Sequence, residues 1–174
     1  MNLAGKTYYF YNNGRMATSF ADIGGTKYYF NPKAGQDFGN MLTGWQKINN
    51  KWYYFSPTAQ GNTARGFMKT SWLNSGGNWY YLYSNGTMAT GFINLNGAYY
   101  YLNNSGAMVS GWQRINGSWY YFNQPRDGGI YGLMSKGWKK INGKWYYFYE
   151  SNGKMAQNTW IGGYHVNSNG EWDR

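Results

Sequence analysis

A methionine recurs along this chain at Met16, Met41, Met68, Met88, Met108, Met134 and Met155, at intervals of 25, 27, 20, 20, 26 and 21 residues. Within five residues of each, an aromatic opens a new unit: Phe20, Trp45, Trp72, Phe92, Trp112, Trp138 and Trp160. Each unit contains an aromatic run such as Trp52-Tyr53-Tyr54-Phe55 or Trp145-Tyr146-Tyr147-Phe148. Self-similarity of this kind marks a repeat architecture, in which one unit cannot bury its apolar face alone and must stack on the next. Seven units and a shortened closing one, Tyr164-His165-Val166-Asn167, place residues 1–174 in a single array. Three units carry extra residues after the run, near 32–40, 57–65 and 124–132, which read as loops on one side of the array.

The unit from Gly137 to Phe148 reads as a hairpin. Asn142-Gly143 is the preferred pair for a two-residue type I′ turn, and Asn96-Gly97 and Asn116-Gly117 recur at the same place. That turn sets Ile141 opposite Lys144, Lys140 opposite Trp145, Lys139 opposite Tyr146 and Trp138 opposite Tyr147. Side chains alternate along strands, so Trp138, Lys140, Trp145 and Tyr147 share one face. Ile141, Lys144, Tyr146 and Phe148 share the other. A lone two-stranded hairpin is marginal in water, so each must cover a face with its neighbours. Helical periodicity is absent. The expected fold class is all-β, a solenoid of stacked β-hairpin repeats.

Composition narrows the chemistry. The packing falls to aromatics, with ten Trp, twenty Tyr and nine Phe, and the lack of Cys excludes disulfides and thiolate metal sites. His165 is the only histidine, and the six acids are dispersed with no repeated pair suited to general acid–base work. No enzyme, metal or cofactor is therefore expected. A net charge of +10 favours anionic polymers as partners. No stretch approaches the ~20 apolar residues of a spanning helix, so the chain is not expected to be transmembrane. The segment Met1-Asn2-Leu3-Ala4-Gly5-Lys6 lacks the pattern of a signal peptide, so a mature secreted product or a module of a larger protein is expected.

The seam between two hairpins suggests a ligand. One hairpin supplies its opening Trp and the Trp of its run from one face. The next can supply the Tyr two positions into its own run, with the intervening Met closing the floor. Three ring faces without a carboxylate suit a quaternary ammonium group, which donates no hydrogen bond and gains about 0.5–2 kcal/mol per cation–π contact. Tyr53, Tyr80, Tyr120 and Tyr146 lie on the opposite face and read as core.

The pattern Gly-Trp, six residues, Trp-Tyr-Tyr-Phe, then Gly-x-Met runs through Gly111-Trp112 to Phe122 and closes at Gly153-Lys154-Met155. It resembles the choline-binding repeats of Gram-positive surface proteins and phage lysins. The resemblance implies a β-solenoid whose sites lie between consecutive repeats, two Trp from one and a Tyr from the next, binding choline or phosphocholine on teichoic acids. Carried over, it pairs Trp72 and Trp79 with Tyr101 and Met88, and Trp112 and Trp119 with Tyr147 and Met134. It pairs Trp45 and Trp52 with Tyr81 and Met68. Phe92 and Tyr99 with Tyr121 and Met108 keep three rings without an indole and are expected to bind more weakly. Trp138 and Trp145 with Met155 meet His165 where the third ring is expected. Phe20 has Lys27 in place of the second Trp, and that seam reads as structural.

Three other readings compete. A glycan-binding module, similar to glucan-binding and clostridial toxin repeats, would also stack rings on sugars; cell-wall glycan is thus the alternative ligand. The paired Trp in four units favours choline. Nucleic acid is not expected, because the repeat explains the rings without it. A regulatory wall protein that competes with choline-anchored hydrolases fits the same sequence.

Overall fold

The computed structural model describes residues 1–174, and the chain is built of eight antiparallel two-stranded hairpins. It divides into two compact units, Met1–Ala89 and Thr90–Arg174. The first unit holds β1 (Asn2–Leu3) with β2 (Lys6–Thr7), and β3 (Ser19–Ile23) with β4 (Thr26–Phe30). It also holds β5 (Gly44–Ile48) with β6 (Lys51–Phe55), and β7 (Ser71–Ser75) with β8 (Asn78–Leu82). In the second unit β9 (Gly91–Leu95) pairs with β10 (Ala98–Leu102), and β11 (Gly111–Ile115) with β12 (Ser118–Phe122). There β13 (Gly137–Ile141) pairs with β14 (Lys144–Phe148), and β15 (Thr159–Ile161) with β16 (Tyr164–Val166).

Turn chemistry sets the register. Asn142 and Gly143 have φ of 49° and 84°, the positive values that a type I′ turn requires at both central residues. Trp138 consequently faces Tyr147 and Lys140 faces Trp145, as the sequence predicts. We call the face with Trp138, Trp145 and Tyr147 the front, and that with Ile141, Tyr146 and Phe148 the back.

Within each unit, consecutive hairpins stack front on back. Tyr121, on the front of β11–β12, packs with Ile141 and Phe148 from the back of β13–β14. Tyr29 does the same with Ile48 and Phe55. One repeated operation generates such a stack, and a head-to-tail operation necessarily brings unlike faces together. The last residue of each run is the core of its hairpin: Phe30, Phe55, Leu82, Leu102, Phe122, Phe148 and Val166 are all sealed from solvent. Each contributes about 1.5–3 kcal/mol by leaving water.

The tail after each run binds two hairpins together. Met155 bridges Phe148 of its own hairpin and donates its amide to the Trp119 carbonyl of the preceding one, at 2.8 Å. Met134 does so with Tyr99 (2.8 Å), Met88 with Trp52 (2.8 Å) and Met68 with Lys27 (2.7 Å). The Met side chain then lies against the glycine of the following tail. A Cβ on Gly153, whose φ is 71°, would stand 2.5 Å from Met134 Cε. Gly-x-Met is therefore an interlocking element, which explains its spacing.

The three insertions enlarge one turn of the tail and leave its base unchanged. In a short tail, Tyr83 N–H donates to Thr87 and Gly86 N–H to Tyr83. Around the long loops the equivalent bonds run from Asn31 to Asn40 and Gly39 to Asn31, and from Ser56 to Phe67 and Gly66 to Ser56. They run from Asn123 to Leu133 and Gly132 to Asn123 in the third, which includes a single 3-10 turn, Pro125–Asp127.

Candidate functional site

Three of the four Trp pairs form a right-angled niche. Trp45 and Trp52 are 6.4 Å apart at 88°, Trp72 and Trp79 6.4 Å apart at 85°, and Trp112 and Trp119 6.2 Å apart at 88°. The opening Trp is held by the tyrosine opposite it in its own hairpin: Trp112 by Tyr121 and Trp72 by Tyr81, each at 5.2 Å. The second Trp stays exposed in three of the pairs, at 41% for Trp52, 39% for Trp79 and 40% for Trp145, so one indole face remains available, whereas Trp119 is half-buried.

The third ring comes from the middle of the next run. Trp112 meets Tyr146 at 4.8 Å and Trp45 meets Tyr80 at 4.8 Å, both edge-on. Phe92 meets Tyr120 at 5.2 Å, and Phe20 meets Tyr53 at 5.2 Å. This corrects the grouping read from the sequence. Tyr147 lies against Trp138 of its own hairpin at 5.3 Å, and Tyr81, Tyr101 and Tyr121 likewise face Trp72, Phe92 and Trp112 of theirs. All four are front residues, and a front faces the following hairpin's back. The tyrosines assigned to pure core, Tyr53, Tyr80, Tyr120 and Tyr146, are the ones that reach the opening ring of the preceding hairpin.

The closing methionine shifts by one repeat for the same reason. Met88 clamps the Trp45–Trp52 seam rather than that of Trp72 and Trp79, and Met155 clamps the Trp112–Trp119 seam rather than that of Trp138 and Trp145. Met134 clamps Phe92–Tyr99, and Met68 clamps Phe20–Lys27. Met108 belongs to the tail of β9–β10, where it bridges Leu102.

The last seam differs most from expectation. Tyr164, not His165, lies on the back of the short closing hairpin, 5.8 Å from Trp138 at 81°. Trp172 takes the place of the methionine: its amide donates to the Trp145 carbonyl at 2.8 Å, and its ring lies 6.3 Å from Tyr164. Trp138, Trp145, Tyr164 and Trp172 line an open cavity of about 310 Å³ with no carboxylate in its lining. The sequence signal for Trp172 is Gly170-Glu171-Trp172, which repeats Gly-x-Met with a ring in the third place. His165 turns away, bonding Asp173 at 2.7 Å.

A polar cluster sits beside these rings. The Tyr121 hydroxyl donates to Asp127 Oδ2 at 2.7 Å, and the Gln124 N–H donates to the same oxygen at 2.7 Å. Burial, then the bond to Asp127, pushes the Tyr121 phenol up to about 12. Burial alone would raise the Asp127 carboxyl, but the Gln124 and Tyr121 bonds prevail and hold it below the usual range. Lys139 bonds Asn123 Oδ1 at 2.8 Å, with its ammonium 5.7 Å from the Tyr121 ring centre.

A family model described as choline-binding repeat matches residues 69–110 and 109–160, together more than half of the chain. The chain belongs to the choline-binding repeat family. A second model, for a cell wall binding repeat, matches residues 2–16, 18–33 and 43–58. Choline binding protein F from Streptococcus pneumoniae, solved in the presence of a peptidoglycan analogue, is 39% identical with a TM-score of 0.85, covering all of this chain. CbpJ from Streptococcus pneumoniae TIGR4 is 38% identical with a TM-score of 0.84 over 99% of the chain. The modular autolysin LytC of Streptococcus pneumoniae is 26% identical with a TM-score of 0.55 over 95%. This chain spans 57% of the length of the first two proteins and 40% of the third. No curated protein sequence matches the chain.

Proposed function

We propose that this chain is a non-catalytic module that holds its protein on a Gram-positive cell wall by taking teichoic acid choline into the aromatic seams. The observation that carries the reading is the cavity of Trp138, Trp145, Tyr164 and Trp172, about 310 Å³ and walled by rings alone. A trimethylammonium group is poorly hydrated and cannot donate hydrogen bonds, so ring faces are its best partners. Three or four contacts of about 0.5–2 kcal/mol each, less the cost of immobilisation, give a dissociation constant on the order of 1 mM per cage. Several cages on one polymer then gain strength through effective concentration. The net charge of +10 favours approach to a phosphate-rich wall polymer.

Titration with choline, and separately with a phosphocholine-free glucan, tests this through Trp fluorescence. Saturable change with choline on the order of 1 mM, absent with glucan, is the expected result. A response to glucan alone would favour the sugar-binding alternative.

A further inference from the structure

The two seams opened by Phe differ from the Trp seams in charge as well as in ring size. Lys27 takes the place of the second Trp behind Phe20, and lines a cavity of about 350 Å³ with Phe20, Tyr53, Met68 and Asp22, the residue opposite it in the hairpin. Beside the Phe92 seam an ammonium reaches the second-ring position from outside the motif: Lys136 and Tyr99 line a cavity of about 370 Å³ with Asn123, Met134, Trp138 and Lys139. Lys136 stands two residues beyond Met134, whose amide clamps this seam through the Tyr99 carbonyl. Its Nζ lies 4.7 Å from the centre of the Tyr99 ring. Tyr99 occupies the position that the second Trp holds in the Trp112 and Trp138 hairpins. Lys136 takes part in none of the chain's ion pairs, so the ring is its partner.

We infer that Lys136 is a resident cation that closes the Phe92–Tyr99–Tyr120 seam to quaternary ammonium ligands. The inference rests on the choline reading of the other seams. A tethered ammonium reaches an effective concentration in the mM range, comparable with the affinity of a cage for a free cation. A second cation brought to within about 5 Å would meet repulsion above the thermal energy even in water. The seam thus keeps a cation in place without ligand, and serves as a rigid spacer between ligand-dependent seams.

Equilibrium dialysis with labelled choline tests this on four chains: wild type, Lys136→Met, Phe92→Trp/Tyr99→Trp, and that double variant with Lys136→Met. Lys136→Gln stands in wherever the Met form fails to fold by circular dichroism. Removing Lys136 is expected to add one choline per chain, and in the indole background to tighten the added site by about tenfold or more. Unchanged stoichiometry and affinity in both backgrounds, with wild-type binding intact, overturns the inference while leaving the choline reading in place. A wild type that binds no choline overturns that reading, and the inference falls with it.

Discussion

Trp112 meets the edge of Tyr146 at 4.8 Å, whereas Tyr147, one residue on, lies 5.3 Å from Trp138 of its own hairpin. Adjacent tyrosines therefore serve different seams. Tyr146→Leu keeps an apolar side chain but loses the π face, and is expected to weaken choline at the Trp112 seam by about 3- to 30-fold, the loss of one cation–π contact. Tyr147→Leu should spare that seam and perturb the Trp138 one. Indole N–H signals of Trp112 and Trp119, followed during choline titration, separate the two outcomes.

Trp172 supplies a fourth ring to the terminal cage. Trp172→Ala is expected to weaken choline there by about 3- to 30-fold. Trp172→Met restores the side chain found in the other tails and should recover part of the loss. Calorimetric titration of the two variants against wild type checks the ordering.

Gly153 combines a φ of 71° with the Met134 side chain in its Cβ position. Gly153→Ala is expected to destabilise the second unit by about 1–3 kcal/mol through crowding and backbone strain. Adding Met134→Ala relieves the crowding and leaves the strain, so the double variant should cost less than the sum of the single changes. Denaturant unfolding monitored by near-ultraviolet circular dichroism measures this.

The Tyr121–Asp127 bond makes stability depend on pH at both extremes. The folded Asp127 carboxyl titrates below its usual range, so its contribution is complete above the unfolded value near pH ~3.9 and fades as pH falls through the folded value. Tyr121 titrates near 12 when folded but near ~10 when unfolded, so its contribution is complete below pH ~10 and is lost as pH rises towards 12. Tyr121→Phe should flatten the alkaline limb of the melting temperature against pH. An unchanged limb would assign the alkaline loss to other groups.

The hairpins were legible because turn chemistry and alternation act within about a dozen residues; the predicted pairing of Trp138 with Tyr147 is the one found. How one hairpin meets the next was not. Alternation sorts Tyr146 from Tyr147 but does not say which face of a neighbour covers Trp112, and the like-face assumption selected Tyr147. The repeat itself settles the pairing, since a stack generated by one step joins front to back. Trp172 lies outside the methionine repeat, whereas its position requires only a large apolar side chain and a backbone N–H aimed at Trp145. Lys136 lies outside every motif, and only its placement over Tyr99 draws attention to it.

The tail bond from Met155 to Trp119 means that no cage is the property of one hairpin. Walls are contributed by a front, the back that follows it, and the strap after that back. Excising one internal hairpin with its strap would set its predecessor's front against its successor's back, so the array would shorten by one seam and stay continuous. Recombination between arrays can therefore change valence in whole steps. A Trp-pair front rebuilds a cage against any back with a central Tyr, so under the proposed function grip on the wall would scale with copy number and need no new contact to evolve.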